Sequence, residues 1–224
     1  MKRFAFTILI IAVFSMPAQA KYSGGTGEPS DPYQIATKQD LLDLAANTTD
    51  YGKCFIITAD IDMQGQGFTT AIIAADVGNI PTEFDGTTFT GTFDGNSHKI
   101  INFHINGGEY LGLFGYIDSG GSVKNLGLED YAINGSSSSW YVGGLVGLNG
   151  GSISNCHSTG AVSGSSDSYD VGGLVGSNGG SISNCYSTGA VSGESRVGGD
   201  RGHELRVCFS CGHVYFLLWG FLLL

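Results

Sequence analysis

A 23-residue text occurs twice in this chain, and no other feature restricts its fold as strongly. Val142 to Gly164 reads VGGLVGLNGGSISNCHSTGAVSG, and the same text returns 29 residues later from Val171 to Gly193. The copies differ only at Leu148/Ser177 and His157/Tyr186. Near-identity at a period between 20 and 50 residues marks a solenoid or array, in which each unit packs on its neighbours instead of around one central core.

The units are built for strands. β-Branched and apolar residues alternate with Gly-Gly and Ser/Asn corners, and no apolar period of helical length is present. Segments this short bury no face alone, but stacked coils do, with parallel strands about 4.8 Å apart. From Cys156 to Val162, alternation puts Cys156, Ser158, Gly160 and Val162 on one side and His157, Thr159 and Ala161 on the other. The Cys/Val side is expected inward, with Leu145 and Ile153 adding to the core. Leu111-Gly112-Leu113-Phe114-Gly115, followed by Gly120 to Leu126, is a diverged copy with Leu126 in the place of Cys156 and Cys185. The fold class is therefore all-β, a parallel β-helix (β-solenoid).

Residues 1–20 read as a cleaved signal peptide: Lys2-Arg3, an apolar run from Phe4 to Phe14, and Ala18-Gln19-Ala20 as a small-x-small cleavage site. Residues 21–32 read as a flexible leader, and 33–83 as an N-terminal cap and loop. In that cap, Tyr33-Gln34-Ile35 forms a strand. Thr37 N-caps a short helix with Asp40 at its third position and Leu41, Leu42, Leu44 and Ala45 on its apolar face. Cys54 to Met63 reads as the next strand and 64–83 as a long loop. A cap of this strand–helix–strand kind covers the open end of a solenoid.

The repeats occupy 84–199, opening with strands Phe89 to Phe93 and Lys99 to Ile105 around the Asp94-Gly95-Asn96 turn. Ser136 to Ser139 reads as a loop. Residues 200–224 hold a degenerate repeat, in which Cys208 to Val214 matches Cys185 to Val191, and an apolar tail from Tyr215 to Leu224 too short to span a bilayer.

Gly144-Leu145-Val146-Gly147 and Gly173-Leu174-Val175-Gly176, each continuing into Asn-Gly-Gly-Ser-Ile-Ser-Asn-Cys, resemble the GLUG repeat family. Gly112-Leu113-Phe114-Gly115 fits the same motif, and Phe89 to Ile105 is similar to the coil that often precedes such repeats. The resemblance covers roughly residues 33–199. It implies exported bacterial or archaeal surface proteins of β-helical fold, some of which carry the repeats beside a peptidase domain.

The formal charge is −10, and only 13% of residues are charged. Without a basic footprint, nucleic acid is not an expected partner. A zinc peptidase needs His-Glu-x-x-His, and His203-Glu204 lacks the second histidine. A carbohydrate-cleaving β-helix needs convergent carboxylates, for which Asp60, Asp62 and Asp94 are the candidates. Calcium stays open as a ligand of such acids, with no assigned site, and no other cofactor is expected. Cys156 and Cys185 form a candidate thiol ladder, and His157, Tyr186 and Phe209 a candidate ring ladder suited to a sugar or another surface. Identical coils present the same surface repeatedly, which suits summed weak contacts better than a single asymmetric catalytic site. The expected function is an exported, non-catalytic scaffold or adhesin at the cell surface, whose partner is a surface polysaccharide or another surface protein. No membrane span is expected in the mature chain. The alternative is a carbohydrate-active β-helix.

Overall fold

A computed structural model describes residues 21–194, apart from 79–82, 138 and 167. Residues 1–20, expected as a signal peptide, and Phe209, His203-Glu204 and the expected degenerate tail lie outside the described residues. Within them the chain winds as a β-solenoid whose strand pairings are parallel. One face has six strands: Tyr33–Ile35, Cys54–Ile57, Thr92–Asp94, Ser122–Lys124, Ser152–Ser154 and Ser181–Ser183. A second stacks Ile61–Phe68, Lys99–Gly107 and Gly127–Gly135, then His157–Ser158 with Ala161–Ser166, and Tyr186–Ser187 with Val191–Glu194. A third holds Phe114–Ile117, Val146–Asn149 and Val175–Asn178. Trp140–Gly143 pairs with Tyr169–Gly172 in a short fourth sheet.

Register sets the core. On the six-stranded face Tyr33, Phe55, Phe93, Val123, Ile153 and Ile182 stack in one column. The ring centroids of Phe55 and Phe93 are 6.3 Å apart, and Phe114 meets Phe93 at 5.4 Å and Phe89 at 5.1 Å. On the seven-stranded face the inward column runs Ile61, Ile100, Leu128, Ser158, Ser187. Both columns lose volume toward the C-terminal coils. Buried apolar area is the main favourable term in folding, so cohesion is concentrated at the N-terminal end. Cys156, Ser158 and Val162 are buried while Thr159 and Ala161 are exposed, as alternation requires.

The cap forms as its sequence dictates. Helix Lys38–Ala46 starts in a capping box: Thr37 Oγ1 accepts from Asp40 N at 3.1 Å, and Asp40 Oδ2 accepts from Thr37 N at 2.9 Å. Leu41 and Leu44 are buried in the core. Residues 21–32, expected as a flexible leader, are instead tied down. Ser23 N donates to Gln34 O and Gln34 N to Gly24 O, Tyr22 Oη donates to Asp50 at 2.6 Å, and Ser23 Oγ donates to Asp40 at 2.7 Å. Their glycines serve a tight turn against Tyr33, not mobility: Gly25 and Gly27 both have φ near +79°.

Two strand expectations shift. Cys54 to Met63 is not one strand, because the chain turns a corner at Thr58 to Asp60 and changes face. The following strand then continues through 64–68, which sequence placed in a loop. Gln64 and Gly65, both at positive φ, form a bulge that hides its alternation. Phe89 contributes a single bridge to Ile117, and the regular strand begins only at Thr92. The Ser136 to Ser139 loop closes on itself, Ser139 Oγ donating to Ser136 O at 2.6 Å. Corners are sealed by an asparagine ladder. Asn125, Asn155 and Asn184 sit at φ of 54°, 52° and 53°, and Asn155 Nδ2 donates to Asn125 Oδ1 at 3.1 Å.

Asp40 makes the cap pH-sensitive. Burial pushes its carboxyl up, but hydrogen bonds from Ser23, Thr37, Ala36 N and Thr37 N outweigh that and hold it below the usual aspartate value. A depressed folded-state pKa adds stability above about pH 4 that is lost as pH falls through that lower pKa. Asp40→Asn should therefore cost on the order of 2 kcal/mol at pH 7 in denaturant titration, and the gap to the wild type should shrink toward pH 2.

Candidate functional site

The outward side of the seven-stranded face carries one of the two positions that vary between the copies, His157/Tyr186; the other, Leu148/Ser177, lies in the three-stranded sheet. His157 pairs in register with Gly127 on one side and Tyr186 on the other. The His157 and Tyr186 rings stack with centroids 5.3 Å apart and planes 11° from parallel. The imidazole occupies the room left by Gly127, where an added Cβ would lie 2.7 Å from His157 Cε1. Rings stacked along the solenoid axis turn their faces to one another, so their edges face outward. Tyr186, on the last described rung, is 46% exposed. Phe209, the expected third ring, lies outside the described residues.

Charges flank this stack. Lys99 Nζ pairs with Glu129 at 2.8 Å, and His157 Nε2 lies 3.7 Å from the same carboxylate. In the preceding coil His98 Nδ1 is 3.0 Å from Asp60. Each of the candidate catalytic acids is committed to a neighbour. The His98 contact and the Lys99 N–H hold Asp60 below the usual range. Asp62 accepts from Gln64 N at 2.7 Å and Asn102 Nδ2 at 3.1 Å. Burial raises Asp94, but Asn125, Asn96 N and Lys124 together bring its carboxyl below the usual value. These three acids stand at separate ladder positions as bond acceptors for turns and neighbouring coils. A raised carboxyl lies elsewhere: burial and Asp85 push Asp76 up, and Asp85 N donates to Asp76 Oδ1 at 3.0 Å.

Cys156 and Cys185 are free and buried on consecutive coils, with Cys156 N 3.4 Å from Cys185 Sγ. The contact with Cys185 and burial push the Cys156 thiol up.

Sequence reading missed an aromatic corner. Trp140 stacks on Tyr169 at 4.4 Å, Tyr110 meets Tyr141 at 4.9 Å, and Phe84 wedges edge-on between Tyr110 at 5.2 Å and Tyr116 at 5.3 Å. Phe84 thereby anchors its own segment to the coils. Burial and the nearby Tyr141, Glu109 and Asp76 raise the Tyr110 hydroxyl to about 12. The signal was available: Glu109-Tyr110, Trp140-Tyr141 and Tyr169-Asp170 each precede a Gly-Leu-hydrophobic-Gly copy.

The repeated motif itself is an interior device. Leu145 and Val146 are fully buried, and Leu145 N donates to Leu174 O of the next coil at 2.8 Å. Gly144 lies against Tyr131, so a Cβ there would meet Tyr131 Oη at 2.1 Å and Gly173 O at 2.4 Å. Tyr131 Oη and Ser158 Oγ both donate to Gly173 O, at 3.0 and 2.9 Å. Gly144 thus lets one coil's ring reach the backbone of another.

The sequence pattern described as the GLUG motif matches residues 138–163 and 167–192, which are these two coils. The two tandem coils are GLUG motifs. Among the relatives is a protein named halomucin from Haloquadratum walsbyi, 33% identical over 147 residues, which are 61% of this chain and 2% of that protein. Another, named as a Gly-rich membrane protein, comes from Evansella cellulosilytica and is 34% identical over 152 residues, 66% of this chain and 17% of that one. The chain thus spans only a small part of either relative. A solved structure from Bacteroides ovatus, titled as an immunoglobulin A1 protease, superposes with a TM-score of 0.51 at 22% identity, covering 75% of this chain and 60% of its own; it shares the fold. No helix among the described residues is long and apolar enough to cross a membrane.

The close approach at the GLUG glycine is directly testable. Gly144→Ala should destabilise the protein by about 2 kcal/mol or more, from overpacking against the Tyr131 hydroxyl. Adding Tyr131→Phe should recover part of that loss in a double-mutant cycle followed by urea denaturation, because it removes one colliding atom while Gly173 O stays.

Proposed function

We propose that this chain is an exported, non-catalytic GLUG-repeat scaffold of the cell surface, whose lateral faces make repeated weak contacts with a surface polysaccharide or another surface protein. The in-register repetition of its outward residues carries this reading. Ser152 stacks on Ser181, Ser154 on Ser183, and His157 on Tyr186. A stack of this kind offers the same contact once per coil, so a polymeric partner gains avidity without any single strong site. The names of the relatives, a halomucin and a Gly-rich membrane protein, point toward the cell envelope.

The carbohydrate-cleaving alternative needs a raised general acid opposite a second carboxylate. Asp60, Asp62 and Asp94 are committed as hydrogen-bond acceptors, and that favours the scaffold. Asp76 and Asp85 are the pair on which the enzymatic reading would have to rest.

The experiment pairs surface protease treatment of producing cells with a pull-down of purified protein on insoluble cell-wall polysaccharide. The expected result is removal of the protein from intact cells, retention on the polysaccharide, and no shortening of the polymer over hours. Retention should fall severalfold in a Tyr186→Ala, His157→Ala double variant. Polymer cleavage that disappears in Asp76→Asn or Asp85→Asn would replace the scaffold with the enzyme.

A further inference from the structure

Cys156 and Cys185 sit immediately before the in-register pair His157 and Tyr186, so they face one another across neighbouring parallel strands. Adjacent parallel strands lie about 4.8 Å apart, inside the 4.4–6.8 Å Cα separation that a disulfide spans. The Cys185 sulfur reaches back toward the preceding coil and lies 3.4 Å from Cys156 N. The Cys156 sulfur lies 3.2 Å from Ser154 O and 3.9 Å from Val123 O.

Among the described residues the third thiol, Cys54, stands apart from the pair. The equivalent place one coil earlier holds Leu126. Cys54 lies on strand Cys54–Ile57, three strands before Ser152–Ser154 in the six-stranded sheet, and is out of reach of the pair. Cys156 lies in the core cluster, and Cys185 is nearly as buried on the coil that ends the described stack. The contact with Cys156, whose N–H points at the Cys185 sulfur, lowers the Cys185 thiol from its usual value and so favours its thiolate.

We infer that Cys156 and Cys185 are a reversible disulfide site, a staple between the last two described coils that closes by exchange with a small disulfide. In the first step the Cys185 thiolate attacks one sulfur of the small disulfide, whose S–S bond breaks and releases one thiolate. In the second, Cys156 gives up its proton and attacks the Cys185 sulfur, and the second small thiolate leaves. Two protein thiols are oxidised to one S–S bond while one small disulfide is reduced to two thiols. Closure links residues 29 apart and restricts the unfolded chain where the core is thinnest. This inference goes beyond the scaffold reading and does not depend on it.

The test uses the full chain, reduced and then incubated in the native state with excess cystamine. Remaining thiols are alkylated in denaturant, and chymotrypsin, cutting after Tyr169, separates the two cysteines. The expected product is a cross-linked Cys156–Cys185 peptide pair lacking two hydrogens. Tm should rise on the order of 5 °C and return on treatment with dithiothreitol. Cys54→Ala should keep both effects, and Cys156→Ala or Cys185→Ala should lose both. Recovery of Cys156 and Cys185 as alkylated thiols or as cystamine adducts, or of Cys185 joined to Cys54, Cys208 or Cys211, would overturn the proposal.

Discussion

In-register parallel stacking is the constraint on which the rest of this structure depends. Backbone N–H groups of one coil find their acceptors in the next, as when Leu145 donates to Leu174, Asn125 to Ser154 and Asn155 to Ser183. A unit of about 29 residues has no way to satisfy those groups by itself, and no two-sided core of its own. Identical positions must therefore lie on top of one another, and that single requirement fixes the side-chain columns, the asparagine corners and the repeated outer surface together.

Stacking also explains why the two near-identical coils are the thinner part of the fold. An inward column that begins with Phe55 and Phe93 continues through Val123 and Ile153, and one that begins with Ile61 and Ile100 ends in Ser158 and Ser187. Tyr131 fills the space above Gly160 and reaches Gly173, so the large side chain of one coil is accommodated by glycine in others. The large residues and the capping helix hold the N-terminal end, and the smaller coils add length to it.

The period, the inward face of Cys156 to Val162 and the capping box of Thr37 and Asp40 were legible because each rests on local spacing. The 29-residue repeat leaves one way to stack, alternation leaves one way to face, and a helix N-terminus has a short-range signature. What escaped depends on partners distant in sequence. The bulge at Gln64 and Gly65 broke the alternation that would have revealed the strand, and the corner at Thr58 to Asp60 exists because the chain must change faces. The 21–32 leader looked mobile from its glycines and serines, yet its bonds go to Gln34, Asp40 and Asp50. The aromatic corner joins Phe84 to Tyr110 and Tyr116, rings 26 or more residues away, which no short window connects. At the candidate site, the repeat made His157 and Tyr186 visible as a varying position. Their packing over Gly127 and their link to Glu129 needed the neighbouring coils.

The most direct measurement is native-state hydrogen exchange resolved residue by residue. If parallel stacking on an N-terminal core holds the fold together, protection should be greatest in strands Cys54–Ile57, Thr92–Asp94 and Ser122–Lys124, and should step down through Ser152–Ser154 to Ser181–Ser183. Equal protection across all five strands, or protection greatest at Ser181–Ser183, would contradict it.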